Sequence, residues 1–247
     1  MFLTYSLMKK ASSYPLARGN TRNYLQKGKR MITNRPLFVT TVIVFFIFTT
    51  AGAIAKSVKI GDKDAKLDLH SNAKASLVLL PGNAGLSDRD PLQRARMKYV
   101  GKGFAVLSID KKTEIRAAMK YASKTAKPVS IAAVSSGVSR LAGVIAAPWF
   151  RAKKVVLVSG DLGSVREKVG SPNILPPTLV IHHRMDRCSN TSPNQVDKFQ
   201  EWGGSKVTVH WMNGGSNSGD PCAAQSYHGL ADLDDEVVNT ITSFLEK

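Results

Sequence analysis

Val129-Ser130-Ile131-Ala132-Ala133-Val134-Ser135-Ser136-Gly137-Val138 decides how this chain folds. The first six residues form a short apolar run, which reads as a strand buried on both faces, and it stops at a double serine and a glycine. Helical spacing begins at Val138 and continues to Ala147. Strand, small-residue turn and helix therefore follow one another directly, with Ser135 at the turn. Such a turn lifts a serine hydroxyl above a sheet, and its small flanking residues leave room for strained backbone. The helix N-terminus behind it favours negative charge. Ser136 is the competing nucleophile by a one-residue slip, but its flanks, Val134 and Val138, are bulkier.

Similar runs recur along the chain at residues 75–80, 104–109, 154–158, 178–182 and 207–211. Helical spacing is predicted over 91–100, 113–126, 138–147, 193–202 and 232–245. Residues 57–69 alternate weakly and predict one or two short edge strands. Strand-helix alternation of this kind implies an α/β fold: a doubly wound, mostly parallel sheet with helices on both faces, forming a three-layer sandwich. In such sheets sites form at the carboxyl ends of the strands, so the residues that stop each run carry the chemistry.

A serine hydroxyl needs an aligned base, and the base needs an orienting carboxylate. Asp186 follows the run ending at His182, and His228 stands just ahead of the final helix. This is the chain order Ser, Asp, His. Asp161, after the preceding strand, is the rival acid. Of the other histidines, His70 precedes the nucleophile, His182 and His210 lie inside strand patterns, and His183 is too near the acid strand to serve as base. Pro81-Gly82-Asn83-Ala84-Gly85 turns where an oxyanion hole would be built, so the backbone amides of Asn83, Ala84 and Ser136 are its candidate donors.

On these motifs the segment 75–247, which is 173 of the 247 residues, resembles the α/β-hydrolase superfamily, in particular small exported members without an elaborate cap. The resemblance implies a serine hydrolase acting on ester or related carbonyl substrates, small-molecule or lipid-like, with no cofactor. A non-catalytic binding or scaffold protein on the same fold is the alternative. Ala133 departs from the glycine usual at that elbow position. The short stretch between the fourth and fifth runs leaves little chain for a cap, so specificity falls to loops.

The formal charge of +17 is unevenly distributed. Residues 1–55 carry eight Lys/Arg and no acid, leaving 27 basic against 18 acidic residues, or +9, for 56–247. With Tyr121 alone interleaved as an aromatic among the later lysines, no nucleic-acid partner is expected. Residues 37–50 are a charge-free apolar run behind Lys27, Lys29, Arg30 and Arg35, and Ala53 and Ala55 stand at −3 and −1 of a cut before Lys56. This predicts a signal peptide over 1–55, with Met31 as a possible functional start, and an exported, periplasmic or secreted domain over 56–247. An uncleaved anchor is the alternative and would be the domain's one link to a membrane. Cys188 and Cys222 then lie where a disulfide persists, and their pairing would tie the Asp186 loop to the His228 loop. No His, Cys or Asp cluster has metal-ligand spacing. Oligomeric state has no signature in the sequence.

Overall fold

The computed structural model describes residues 53–247. Eight strands form one sheet: β1 Ile54–Ile60, β2 Lys63–Leu69, β3 Ala75–Leu80, β4 Phe104–Ile109, β5 Val129–Val134, β6 Val155–Val158, β7 Thr178–His183 and β8 Val207–Met212. Seven helices accompany them: α1 Pro91–Arg94, α2 Arg96–Gly101, α3 Ile115–Thr125, α4 Ser136–Ile145, α5 Leu162–Val169, α6 Val196–Gly203 and α7 Asp234–Glu246. The strand order is β1-β2-β4-β3-β5-β6-β7-β8. β1 and β2 are antiparallel, as are β2 and β4, whereas β4, β3 and β5 to β8 run parallel.

Period-two alternation along the buried strands sends side chains to opposite faces. Val78 and Leu80 join a core with Ile131, Leu157 and the inward residues of α3 to α6. Leu77 and Leu79 join a second core with Val106, Val156 and the buried faces of α1, α2 and α7. β3, β4, β5, β6 and β7 are covered on both sides, which explains their near-continuous apolar sequences.

Four elements differ from expectation. Residues 57–69 supply the expected edge strand, but as part of a hairpin of two seven-residue strands, paired from Ile54–Leu69 to Ile60–Lys63, in which β1 is the edge and β2 lies between β1 and β4. The strand therefore begins two residues ahead of the predicted boundary at 56. The rest of the predicted signal segment, 1–52, lies outside the described residues. The predicted helix over 91–100 is interrupted at Ala95, and that over 193–202 opens with a 3-10 turn at Pro193–Gln195. α5 was not predicted, because Gly163 weakens an eight-residue segment. Its start was nonetheless encoded by the Asp161 N-cap, whose carboxylate accepts from the Ser164 amide at 3.1 Å.

The strand order positions the site. From β3 the chain leaves through α1 and α2 to reach β4 on one side, while from β5 it leaves through α4 to reach β6 on the other. The loops after β3 and β5 thus diverge, and a crevice opens at the carboxyl ends between them.

Candidate active site

Ser135 sits at the turn between β5 and α4 with φ 52° and ψ −123°, in the left-handed half of backbone space that a non-glycine residue rarely adopts. Close packing holds it there. A Cβ on Gly137 would lie 2.7 Å from the Pro81 carbonyl oxygen and 2.9 Å from that of Leu80, and a Cβ on Gly82 would lie 3.1 Å from Ser135 Cβ. The elbow and the loop after β3 are therefore pressed backbone to backbone, which small residues alone permit. Ala133, at the position where glycine is usual, is fully buried within β5.

Ser135 Oγ lies 3.0 Å from His228 Nε2, and His228 Nδ1 lies 3.0 Å from Asp186 Oδ2. With the Nδ1 proton donated to the carboxylate, Nε2 is left to accept from the serine hydroxyl. Asp186 and His228 are both buried. Burial raises the Asp186 carboxyl, but the His182 imidazole beside it, the hydrogen bond from His228, the His228 charge and the Cys188 amide at 2.8 Å outweigh it and bring the group down to about 2. The group is ionised whenever the protein is near neutrality. Asp161 has no contact with His228; it caps α5 and lines the cleft instead.

The loop after β3 is held by Asp90, whose Oδ2 accepts from the Gly82 amide at 2.8 Å while Oδ1 accepts from Leu92 and Gln93 at 3.0 and 3.2 Å. One buried carboxylate thus caps α1 and fixes the turn. The Ser136 hydroxyl donates to Asn83 Oδ1 at 2.9 Å, joining the same loop to α4. Among the described residues the amides of Asn83, Ala84 and Ser136 have no acceptor, and all three residues line the cleft beside Ser135. That cleft has a volume of about 590 Å³. Asp161, Ser189, Asn190 and Gln195 add polar groups to its lining.

Cys188 and Cys222 form a disulfide, with Cα atoms 4.7 Å apart. It borders the cleft and joins the Asp186 loop to the His228 loop. A second tie runs beside it: the His183 and Tyr227 rings stack at 4.2 Å, and His183 Nε2 donates to the Gly214 carbonyl at 3.0 Å.

Three contributors were missed by sequence reasoning. Thr191 places its hydroxyl 3.0 Å from His228 Nδ1, and nothing in the sequence marks it. His182, expected to be structural within its strand, is fully buried with Nε2 3.1 Å from Asp186 Oδ2, its N–H out of line with that oxygen. Asp90 carried a legible signal, since an Asp directly before a Pro at a helix start is an N-cap pattern.

No family model and no curated protein matches this chain. Solved structures are similar to it. Dienelactone hydrolase from Anabaena variabilis superposes with a TM-score of 0.59 at 14% identity, over 79% of this chain and 97% of that one. An esterase from Pyrococcus furiosus gives 0.57 at 12%, over 79% and 91%. Est1E from Butyrivibrio proteoclasticus gives 0.56 at 13%, over 78% and 99%. With the strand order and the crevice between β3 and β5, these likenesses establish that the chain has the fold of the α/β-hydrolase superfamily.

Proposed function

We propose that this protein is an exported serine hydrolase that cleaves esters or related carbonyl substrates of small molecules through an acyl-enzyme on Ser135. The observation that carries the reading is the unbroken path from Ser135 Oγ through His228 to Asp186 Oδ2, with both links at 3.0 Å, at the floor of a cleft. Esterases and a dienelactone hydrolase among the structures of this fold support it.

In this reading Ser135 Oγ attacks the substrate carbonyl carbon as His228 Nε2 takes its proton, and Asp186 stabilises the imidazolium. Amides of Asn83, Ala84 and Ser136 receive the negative charge on the carbonyl oxygen, assisted by the N-terminus of α4. Collapse of the tetrahedral adduct breaks the bond to the leaving group, which takes the proton back from His228. Water then attacks the ester on Ser135, again losing a proton to His228, and releases the acid and the free serine.

A fluorophosphonate probe tests the assignment. Labelling of the intact protein, lost in Ser135→Ala, is the expected result; labelling that persists in that variant, or none at all, sinks it. Export draws support from the Cys188–Cys222 disulfide, since such bonds persist in oxidising compartments. Fractionation of cells producing the chain, with the bridge assayed by thiol alkylation, should find oxidised protein outside the cytoplasm.

A further inference from the structure

The edge of the sheet opposite the cleft has its own pattern. Lys74, Lys102, Lys127, Lys153, Lys154 and Lys206 each stand within two residues of the start of a parallel strand, and together they mark five of the six such strands. Parallel strands start at one edge, so these lysines converge there. At the other end Asp110, Asp161 and Asp186 stand within three residues of strand ends, and Lys111 and Lys112 stand beside Asp110. Between Glu114 and Asp161 the chain has eight bases and no acid. The lysine-bearing edge thus lies at one end of the strands, and the Ser135 cleft lies at the other.

Two of the six lysines have internal partners: Lys74 pairs with Glu246, and Lys154 donates to the Phe244 carbonyl at 2.7 Å. Lys102, Lys127, Lys153 and Lys206 are exposed, and none pairs with a carboxylate among the described residues. A cleft of about 740 Å³ opens on the same edge between the starts of β6 to β8 and the end of α7. Lys153, Lys154, Lys247, Thr208 and Ser243 line it, with no Asp or Glu.

We propose that this lysine-bearing edge of the sheet is a docking surface for anionic phospholipid, holding the domain on a bilayer with the Ser135 cleft facing away. Lysines aligned along one edge can all approach an anionic plane within the Debye length of about 10 Å at 0.1 M salt. Their attractions then add, and the cleft between Lys153 and Lys247 offers room for a headgroup. A bilayer fits better than a soluble acidic polymer for two reasons. β1 also starts at this edge, and its Ile54 presents an apolar side chain that is 50% exposed. The charge-free run 37–50 ends four residues before Ile54, a reach of about 14 Å. Retained in a bilayer, that run would hold the domain by the same edge.

The test compares the full chain with two quadruple variants by sedimentation with vesicles of phosphatidylcholine alone, or containing about a third phosphatidylglycerol. Lys102→Gln/Lys127→Gln/Lys153→Gln/Lys206→Gln removes the unpaired lysines of the docking edge. Lys59→Gln/Lys63→Gln/Lys111→Gln/Lys112→Gln removes as many charges at the opposite edge. Thermal melts establish that both fold. The first variant is expected to lose binding to anionic vesicles by about tenfold or more while keeping that to neutral vesicles, and the second to bind as the parent does. Equal losses in the two variants, or no loss in the first, would overturn the proposal. Soluble polyphosphate that binds through the same four lysines and displaces the chain from anionic vesicles at equal charge would assign the surface to an acidic polymer instead, and overturn the lipid assignment.

Discussion

His182 Nε2 lies 3.1 Å from Asp186 Oδ2, the same oxygen that accepts from His228 Nδ1 at 3.0 Å. Two imidazoles therefore share one carboxylate oxygen in a fully buried setting, and both help to hold that carboxyl near 2 against the burial that raises it. A group held below its unfolded value stabilises the fold above that value and loses its contribution as pH falls through the folded one. The Asp186 contribution is thus present above about pH 4 and disappears toward pH 2. Replacing His182 by Leu removes one of the two contacts. Acid unfolding, followed by circular dichroism, should move to higher pH, with kcat reduced through misorientation of Asp186; an unchanged acid midpoint would show that His182 does not act on the carboxyl.

Asp90 titrates in the opposite sense. Burial pushes its carboxyl up to about 6, although three backbone amides oppose the rise. The folded protein then binds more protons than the unfolded chain between about pH 4 and 6, so stability should fall across that window and level off above it. In Asp90→Asn the slope should be absent, as read from urea midpoints at graded pH.

The same residue anchors the loop that presents the Asn83 and Ala84 amides. Asp90→Ala frees the Gly82 amide and leaves that loop less ordered, so kcat is expected to fall by about 10- to 100-fold with KM nearly constant. A loss confined to KM would argue that the loop binds substrate without touching the developing oxyanion.

Reduction of the Cys188–Cys222 bridge should cost about 3 to 4 kcal/mol, given a separation of 34 residues. Activity should fall with it, since the Cys188 amide donates to Asp186 Oδ1. Chemical denaturation and ester turnover with and without a dithiol reductant measure both. Full activity in the reduced protein would mean that the His183–Tyr227 stack suffices to keep the two loops in place.

Gly137→Ala would place a methyl 2.7 Å from the Pro81 carbonyl oxygen. Backbone must move to admit it, at a cost of about 1 to 3 kcal/mol, and the moving segments are the elbow and the loop after β3. Loss of both stability and probe labelling is expected, whereas the same exchange at Gly101, where a Cβ meets nothing within 4 Å, should leave labelling intact.

Much of this architecture was legible along the chain. The runs at 75–80, 104–109 and 129–134 are the observed strands residue for residue, because burial on both faces demands continuous apolar sequence. β1 and β2 were harder to read. β1 buries only Ile60 and β2 only Ala65, Leu67 and Asp68, so no continuous apolar run marks either strand, and Lys56, Lys59 and Lys63 break up what there is. Thr191 was illegible for a different reason, since its role depends on a contact with a residue 37 positions away.

The sequence by itself determined the fold class, the elbow that carries Ser135 and the order of the candidate acid and base, because each is written in local hydrophobic period or in chain order. It left open which aspartate meets His228. Tertiary structure brings Asp186 Oδ2 to 3.0 Å and turns Asp161 to the cap of α5. It also decided that His182, Thr191 and Asp90 would gather around the elbow and that lysines far apart in sequence would share one edge. These are distances between segments, set by how the strands order in the sheet, and no local pattern encodes them.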